Sequence, residues 1–176
     1  MIEQTKAWIA EIVIGLNLCP FARRVFDAGT IRYIATDVTR EAELLEVLEG
    51  EMRHLLNSPR SEVETAFVIH PQVLTRFPDY NDFLAEVDRL LQRLGLEGVL
   101  QVASFHPHYQ FAGTAPDAVE NYTNRSPFPM LHLLREISIT EVAAEPDVLL
   151  GIPERNIETM RKLGLATLRG SKFPTC

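Results

Sequence analysis

Three short apolar runs separated by two long amphipathic stretches constrain this chain more than anything else in it. Thr30–Thr36 (TIRYIAT), Glu64–His70 (ETAFVIH) and Val99–Phe105 (VLQVASF) have the length and the β-branched and aromatic content of strands. Between the first two, Leu44, Leu45, Leu48, Met52, Leu55 and Leu56 share one face of a helix over Arg40–Leu56, which Asn57-Ser58-Pro59 stops. Between the second and third, Phe83, Leu84, Val87, Leu90, Leu91 and Leu94 do the same over Asp79–Leu94, with Gly95 as a C-terminal cap. Strand, helix, strand, helix, strand with short connections implies two right-handed crossovers. The expected class is therefore α/β, a small, mostly parallel sheet with helices packed on it, with an α+β sandwich as the alternative. In a parallel sheet Asp37, His70 and His106 lie along the carboxyl edge, where open α/β proteins hold their ligands. Both histidines are followed by proline.

The flanks add packing elements. Trp8, Ile9, Ile12 and Val13 recur at helical spacing within Thr5–Ile14, and Gly15 reads as the terminator of that helix. It delivers Gly15–Ala22 (GLNLCPFA), too apolar for an exposed linker, followed by Arg23 and Arg24. After the third strand comes a loop over Tyr109–Val119 and then Asn121–Pro129. A helix is expected to open there, with Ser126 or Asn124 as N-cap and proline in its first turn. Met130, Leu131, Leu134 and Ile137 would form its buried stripe, leaving His132, Arg135 and Glu136 together on another face. A last short helix spans Pro153–Leu163 before Gly164. One domain over residues 1–168 and a C-terminal tail over 169–176 complete the expected organisation.

Composition excludes some functions. A net charge of −7 and a pI near 5.2 argue against a chain that wraps nucleic acid or lies on an anionic membrane, since either needs a positive field. Only Cys19 and Cys176 occur, which suggests no disulfide framework and fits a reducing, cytoplasmic setting. The apolar stretch before Cys19 is interrupted by Glu3, Lys6 and Glu11, unlike a lipoprotein signal, and no run is long enough to span a bilayer.

GLNLCPFA (Gly15–Ala22), VLQVASFHPHYQFAGTAPD (Val99–Asp117) and NYTNRSPFPMLHLLRE (Asn121–Glu136) resemble the signature segments of a bacterial family known as domain of unknown function 1415, and DYNDF (Asp79–Phe83) fits it too. The resemblance runs from about Thr5 to the C-terminal helix. It carries no activity, cofactor or catalytic residue over to this chain, so the chemistry rests on the residues themselves.

His106-Pro107-His108 sets two imidazoles two residues apart at a strand end, suited to proton transfer or metal ligation. With His70, and with Asp82 or Asp37 completing it, the pair could form a divalent-metal site that leaves a position for water. The plainer alternative is that these histidines bond loop carbonyls and cap the sheet. Asn124-Arg125-Ser126-Pro127 at a helix start would make an anion site, with Arg125 clamping a phosphate or carboxylate and Arg23, Arg24, His132 and Arg135 adding polar contacts; a helix cap with a paired arginine is the competing account. Cys19 reads as a buried structural thiol, or as a nucleophile if it faces His106 or His132. Asp79 or Asn81 caps the helix that follows, and Asp82 complements its dipole. The aromatics Tyr109, Phe111, Tyr122 and Phe128 flank these groups. The first reading is an enzyme acting on an anionic small molecule, with His106 and His108 in acid–base roles. The second is a metal-dependent hydrolase or oxygenase using the same histidines, and the third a non-catalytic ligand-binding or regulatory module.

Overall fold

A computed structural model describes residues 1–142 and 151–169. Of the tail expected over 169–176, Arg169 is the last residue of the final helix, and residues 170–176, with Cys176, lie outside the described ones. In chain order the elements are α1 (Ile2–Trp8), continuing into a π-helical segment (Ile9–Ile14), α2 (Ala22–Asp27), β1 (Ile31–Ala35), α3 (Glu41–Asn57), β2 (Thr65–Ile69), α4 (Phe77–Leu94) and β3 (Leu100–Phe105). A 3₁₀ turn (Val119–Thr123), β4 (Met130–Arg135), α5 (Glu136–Val142) and α6 (Ile152–Arg169) follow.

The four strands form one sheet in the order β1-β2-β4-β3. β1 and β2 pair in parallel, whereas β4 runs antiparallel to both β2 and β3. The sheet is mixed and mostly antiparallel, which corrects the expectation of a mostly parallel one. The cause is the segment Met130–Arg135, expected as a helix and folded as an inner strand. Its run MLHLL is apolar almost throughout, and a short continuous apolar run fits a doubly covered strand as well as a buried helix. Pro127 and Pro129 hold the residues before them extended, so the chain arrives in strand conformation and turns helical only at Glu136. Because β4 opposes both neighbours, β1, β2 and β3 still point the same way, and their carboxyl ends share an edge.

Side chains alternate across the sheet, so each face has its own core. Ala66, Val68, Leu131 and Leu133 meet the apolar stripes of α3 and α4 on one face. Phe67, Ile69 and Met130 meet Trp8, Ile9, Ile12, Leu18 and Met160 on the other, beneath the N-terminal helices and α6. Gly95 ends α4 in the left-handed conformation, at φ 67°, as its place after Leu94 suggests. Gly164, non-helical at φ 72° and ψ 154°, divides α6 into two helices, so the first of them stops where the sequence placed its end.

Gly15 ends the N-terminal helix as expected, but not by a left-handed turn. Its φ of −60° is right-handed, so it is no left-handed cap. It closes the π-helical turn, donating to the Ala10 carbonyl at 3.1 Å. That turn brings the Glu11 carbonyl oxygen to 2.1 Å from where a Cβ on residue 15 would sit. Glycine is needed for space, not for backbone freedom. Among the described residues no helix is long and apolar enough to cross a membrane.

Candidate functional site

The carboxyl edge carries the polar chemistry. His70 follows β2 directly and is fully buried. Its Nδ1–H donates to the Val73 carbonyl at 3.1 Å, which leaves Nε2 as a buried acceptor with no partner. His106, also fully buried, donates from Nε2 to the Leu74 carbonyl at 3.2 Å and accepts the His108 N–H on Nδ1 at 3.0 Å. Burial pushes both rings down to about 4, so they are neutral near pH 7. Between the two rings Tyr80 donates its hydroxyl to the Met130 carbonyl at 2.9 Å and accepts the Phe105 N–H at 3.0 Å. Two histidines thus grip consecutive carbonyls of the turn after β2, where Leu74 is held at a strained φ of 57°.

That turn forms one wall of a polar cleft of about 370 Å³ lined by Thr39, Arg40 and Glu41 on one side and by Gln72–Arg76 and Asp79 on the other. The N-termini of α3 and α4 both open onto it. Arg40 and Arg76 hold the N-cap positions, and neither caps its helix through its side chain. Instead Arg40 pairs with Glu43, which also accepts the Arg40 N–H at 3.3 Å, and Arg76 approaches Asp79 at 3.5 Å. Asp79 therefore sits in the first turn of α4 and Arg76 takes the capping position, where Asp79 or Asn81 was expected.

The other sequence candidates take up separate posts. His108 is exposed, with its ring centroid 5.8 Å from that of His106. Asp82 and Asp37 are exposed as well. Among the described residues no three His, Cys, Asp or Glu side chains come together as a metal would need, so His70, His106, His108 and Asp82 do not form the expected ligand set.

Asn124, Arg125 and Ser126 precede a strand, so the helix N-terminus expected to cradle an anion there is missing. Arg125 donates to the carbonyls of Pro116 at 2.7 Å and Tyr109 at 3.4 Å and lies 4.2 Å from the centre of the Tyr122 ring. Asn124 donates to the Ser104 carbonyl at 3.2 Å, and the buried Ser126 hydroxyl donates to the Phe128 carbonyl at 2.7 Å. These bonds fasten the loop after β3 to the start of β4. His132 and Arg135, expected on one helix face, point to opposite faces of β4 because their separation is odd. Arg135 reaches the carbonyls of Leu55, Ser58 and Val63 behind α3. Arg24 bonds Glu64 at 3.1 Å, and Arg23 is exposed.

Two candidates do meet. Cys19 and His132 line the same small cavity on the sheet face opposite α3 and α4, together with Thr65 and Trp8, which the sequence did not single out. Burial pushes the Cys19 thiol up and the His132 ring down to about 3, so both are uncharged. Of the residues missed, Arg40 and Arg76 left one readable trace: each stands just before a helix, where Ser, Thr, Asp or Asn is usual.

No curated protein and no solved structure matches the chain. Residues 1–170 match the family described as Protein of unknown function (DUF1415), and the chain belongs to that family.

Proposed function

We propose that this protein binds a small oxyanion, the phosphate or carboxylate of a small molecule, in the cleft between the turns that follow β1 and β2. The observation that carries the reading is the convergence of two long-helix N-termini and two arginines on one polar cleft. Each N-terminus contributes unpaired N–H groups and about half a positive charge, which favours an anion there. Arg40 and Arg76 are three-quarters exposed and, among the described residues, form ion pairs with Glu43 and Asp79 of their own helices, so an incoming anion exchanges one carboxylate for another.

The geometry favours binding over acid–base catalysis. His106 has both ring nitrogens committed to backbone groups, and the acceptor nitrogen of His70 is buried behind the turn. The two rings shape the wall of the cleft by gripping Val73 and Leu74. This is the behaviour of a ligand-binding or regulatory module.

Isothermal titration with inorganic phosphate and pyrophosphate tests it. Arg40→Ala and Arg76→Ala should each weaken binding about tenfold, from ~1.5 kcal/mol per charge-assisted hydrogen bond. Both side chains lie at the surface, so the melting temperature should barely change. Equal affinity in the double variant and the parent would overturn the proposal.

A further inference from the structure

β3 is an edge strand: β4 pairs with one side of it and, among the described residues, no strand pairs with the other. The bonds around it show which backbone groups face outward. Val99 accepts the Glu136 N–H at 3.0 Å, so in this antiparallel register the odd-numbered residues of β3 exchange bonds with β4 and the even-numbered ones turn away from it. The even-numbered residues behave accordingly. The Leu100 N–H donates to the Leu96 carbonyl at 3.0 Å, the Ser104 carbonyl accepts from Asn124 Nδ2 at 3.2 Å, and the His106 N–H donates to the Asn124 carbonyl at 3.3 Å. That leaves four outward groups with no partner among the described residues: the Leu100 carbonyl, the Val102 N–H and carbonyl, and the Ser104 N–H.

An unpaired edge is usually blunted by charge, proline or a bulge. Leu100–Phe105 (LQVASF) contains no charged residue and no proline, and it pairs with β4 without a break in register. The opposite edge strand, β1, carries Arg32. Among the described residues, two of the three exposed large apolar side chains stand at the start of the β3 edge: Val99 is 44% exposed, and Ile137, 55% exposed, follows the Glu136 whose N–H bonds Val99.

We infer that this edge is where a second copy of the chain docks, β3 against β3, antiparallel about a two-fold axis at Val102, which joins the two four-stranded sheets into one. The open groups select this occupant. With Val102 opposite itself, Leu100 stands opposite Ser104 of the other copy. Each Val102 N–H then donates to the other Val102 carbonyl, and each Ser104 N–H to a Leu100 carbonyl. These bonds use every unpaired group of the edge and no other. The two groups left facing each other, the Leu100 N–H and the Ser104 carbonyl, are already satisfied within each chain. Moving the axis to Gln101 or Ala103 keeps only half of the bonds. An unrelated strand would bring its own N–H and carbonyl against those two filled groups and leave them unpaired. Charge agrees with the assignment. A net charge of −7 sets two copies against each other in general, but here the cross-strand neighbours are Gln101 with Ala103, Leu100 with Ser104 and Val102 with itself, all uncharged.

Sedimentation velocity of the full chain from micromolar to millimolar concentration, with amide hydrogen exchange of ¹⁵N-labelled protein at both extremes, tests the assignment. The expected result is a monomer–dimer equilibrium in which exchange at the Val102 and Ser104 amides slows at least threefold as concentration rises. Gln101 is exposed, so Gln101→Glu leaves the monomer intact. It sets like charges diagonally across the axis, at about 7–8 Å, and should weaken the dimer at least threefold, with the loss recovered in high salt. A chain that stays monomeric at millimolar concentration overturns the inference. So does a dimer whose Val102 and Ser104 amides exchange at the monomer's rate, or one indifferent to Gln101→Glu, since its interface would lie elsewhere. The oxyanion cleft contains none of these residues, so the two proposals stand or fall separately.

Discussion

Gly15→Ala is the sharpest test of the N-terminal architecture, because the usual rule and the observed geometry predict opposite signs. Gly15 has ordinary right-handed helical torsions, φ −60° and ψ −36°. At such a position replacing glycine by alanine normally stabilises by ~0.5–1 kcal/mol, through lost freedom of the unfolded chain. Here the new Cβ would lie 2.1 Å from the Glu11 carbonyl oxygen and 2.9 Å from its carbon. Ordinary contact begins more than an ångström farther out, and the obstruction is backbone, which no rotamer change can clear. Relief requires opening the π-turn, which sacrifices the Gly15 N–H bond to Ala10 at 3.1 Å and strains that of Leu18 to Val13 at 2.8 Å. Overpacking costs ~1–3 kcal/mol and a broken backbone bond adds ~1 kcal/mol, so the expected destabilisation is ~2–4 kcal/mol. For a chain of this size that lowers the melting temperature by roughly 5–15 °C. Urea unfolding followed by circular dichroism measures it. Gly50→Ala is the internal control: Gly50 lies within α3, exposed and with nothing within 4 Å of a new Cβ, and should gain ~0.5–1 kcal/mol. A Gly15→Ala protein as stable as the parent, or more so, would refute the steric account of the π-turn.

Two further expectations concern stability. Burial holds His70 and His106 down to about 4 and His132 down to about 3, so the unfolded chain binds their protons first. Their contribution is therefore full above the unfolded value near 6.5 and is lost as pH falls from there toward 4, by up to ~1.4 kcal/mol per pH unit for each ring. Glu64, held down to about 2 by Arg60, Ser138 and Arg24 against its own desolvation, contributes fully above its ordinary value of 4.5 and weakens only below it. The window from pH 6.5 to 5 thus isolates the histidines. Urea midpoints should fall across it, and His132→Phe, which keeps a ring to stack on Phe67, should flatten the slope; an unchanged slope would show that His132 does not titrate as a buried group. Arg135→Lys should cost ~2–3 kcal/mol in chemical denaturation, because a point ammonium cannot serve the Leu55, Ser58 and Val63 carbonyls that the guanidinium reaches together. A loss near zero would mean that the loop after α3 holds without it.

The strands and helices with a clean period were readable from the chain itself. β1, β2, β3, α3 and α4 fall within a few residues of where alternation and the i, i+3, i+4 stripes put them, and the carboxyl-edge position of His70 and His106 follows from strand direction alone. β4 was not readable, because Met130, Leu131 and Leu134 fit a helical stripe as well as they fit a strand covered on both faces. That single ambiguity displaced the anion site, since it turned a strand start into a supposed helix start and put His132 beside Arg135. The π-turn left no trace either. Trp8, Ile9, Ile12 and Val13 satisfy an α-helical period, and the displaced Glu11 carbonyl is a backbone event that no side chain announces. The meeting of Cys19 with His132 spans 113 positions and depends on which face β4 presents, so periodicity had no purchase on it.

The place of β4 in the sheet also fixes the order in which this chain can mature on the ribosome. β2 and β3 never touch as strands; the segment that joins them is made after both and supplies Met130 to one core and Leu131 and Leu133 to the other. Until residue 135 has left the exit tunnel, β1 and β2 are a lone parallel pair with an unpaired inner edge, and β3 has no partner at all. Folding must therefore wait for a late, long-range insertion, which is intrinsically slow and exposes apolar surface meanwhile. A nascent chain stalled before Met130 is the form in which this protein should most need a chaperone.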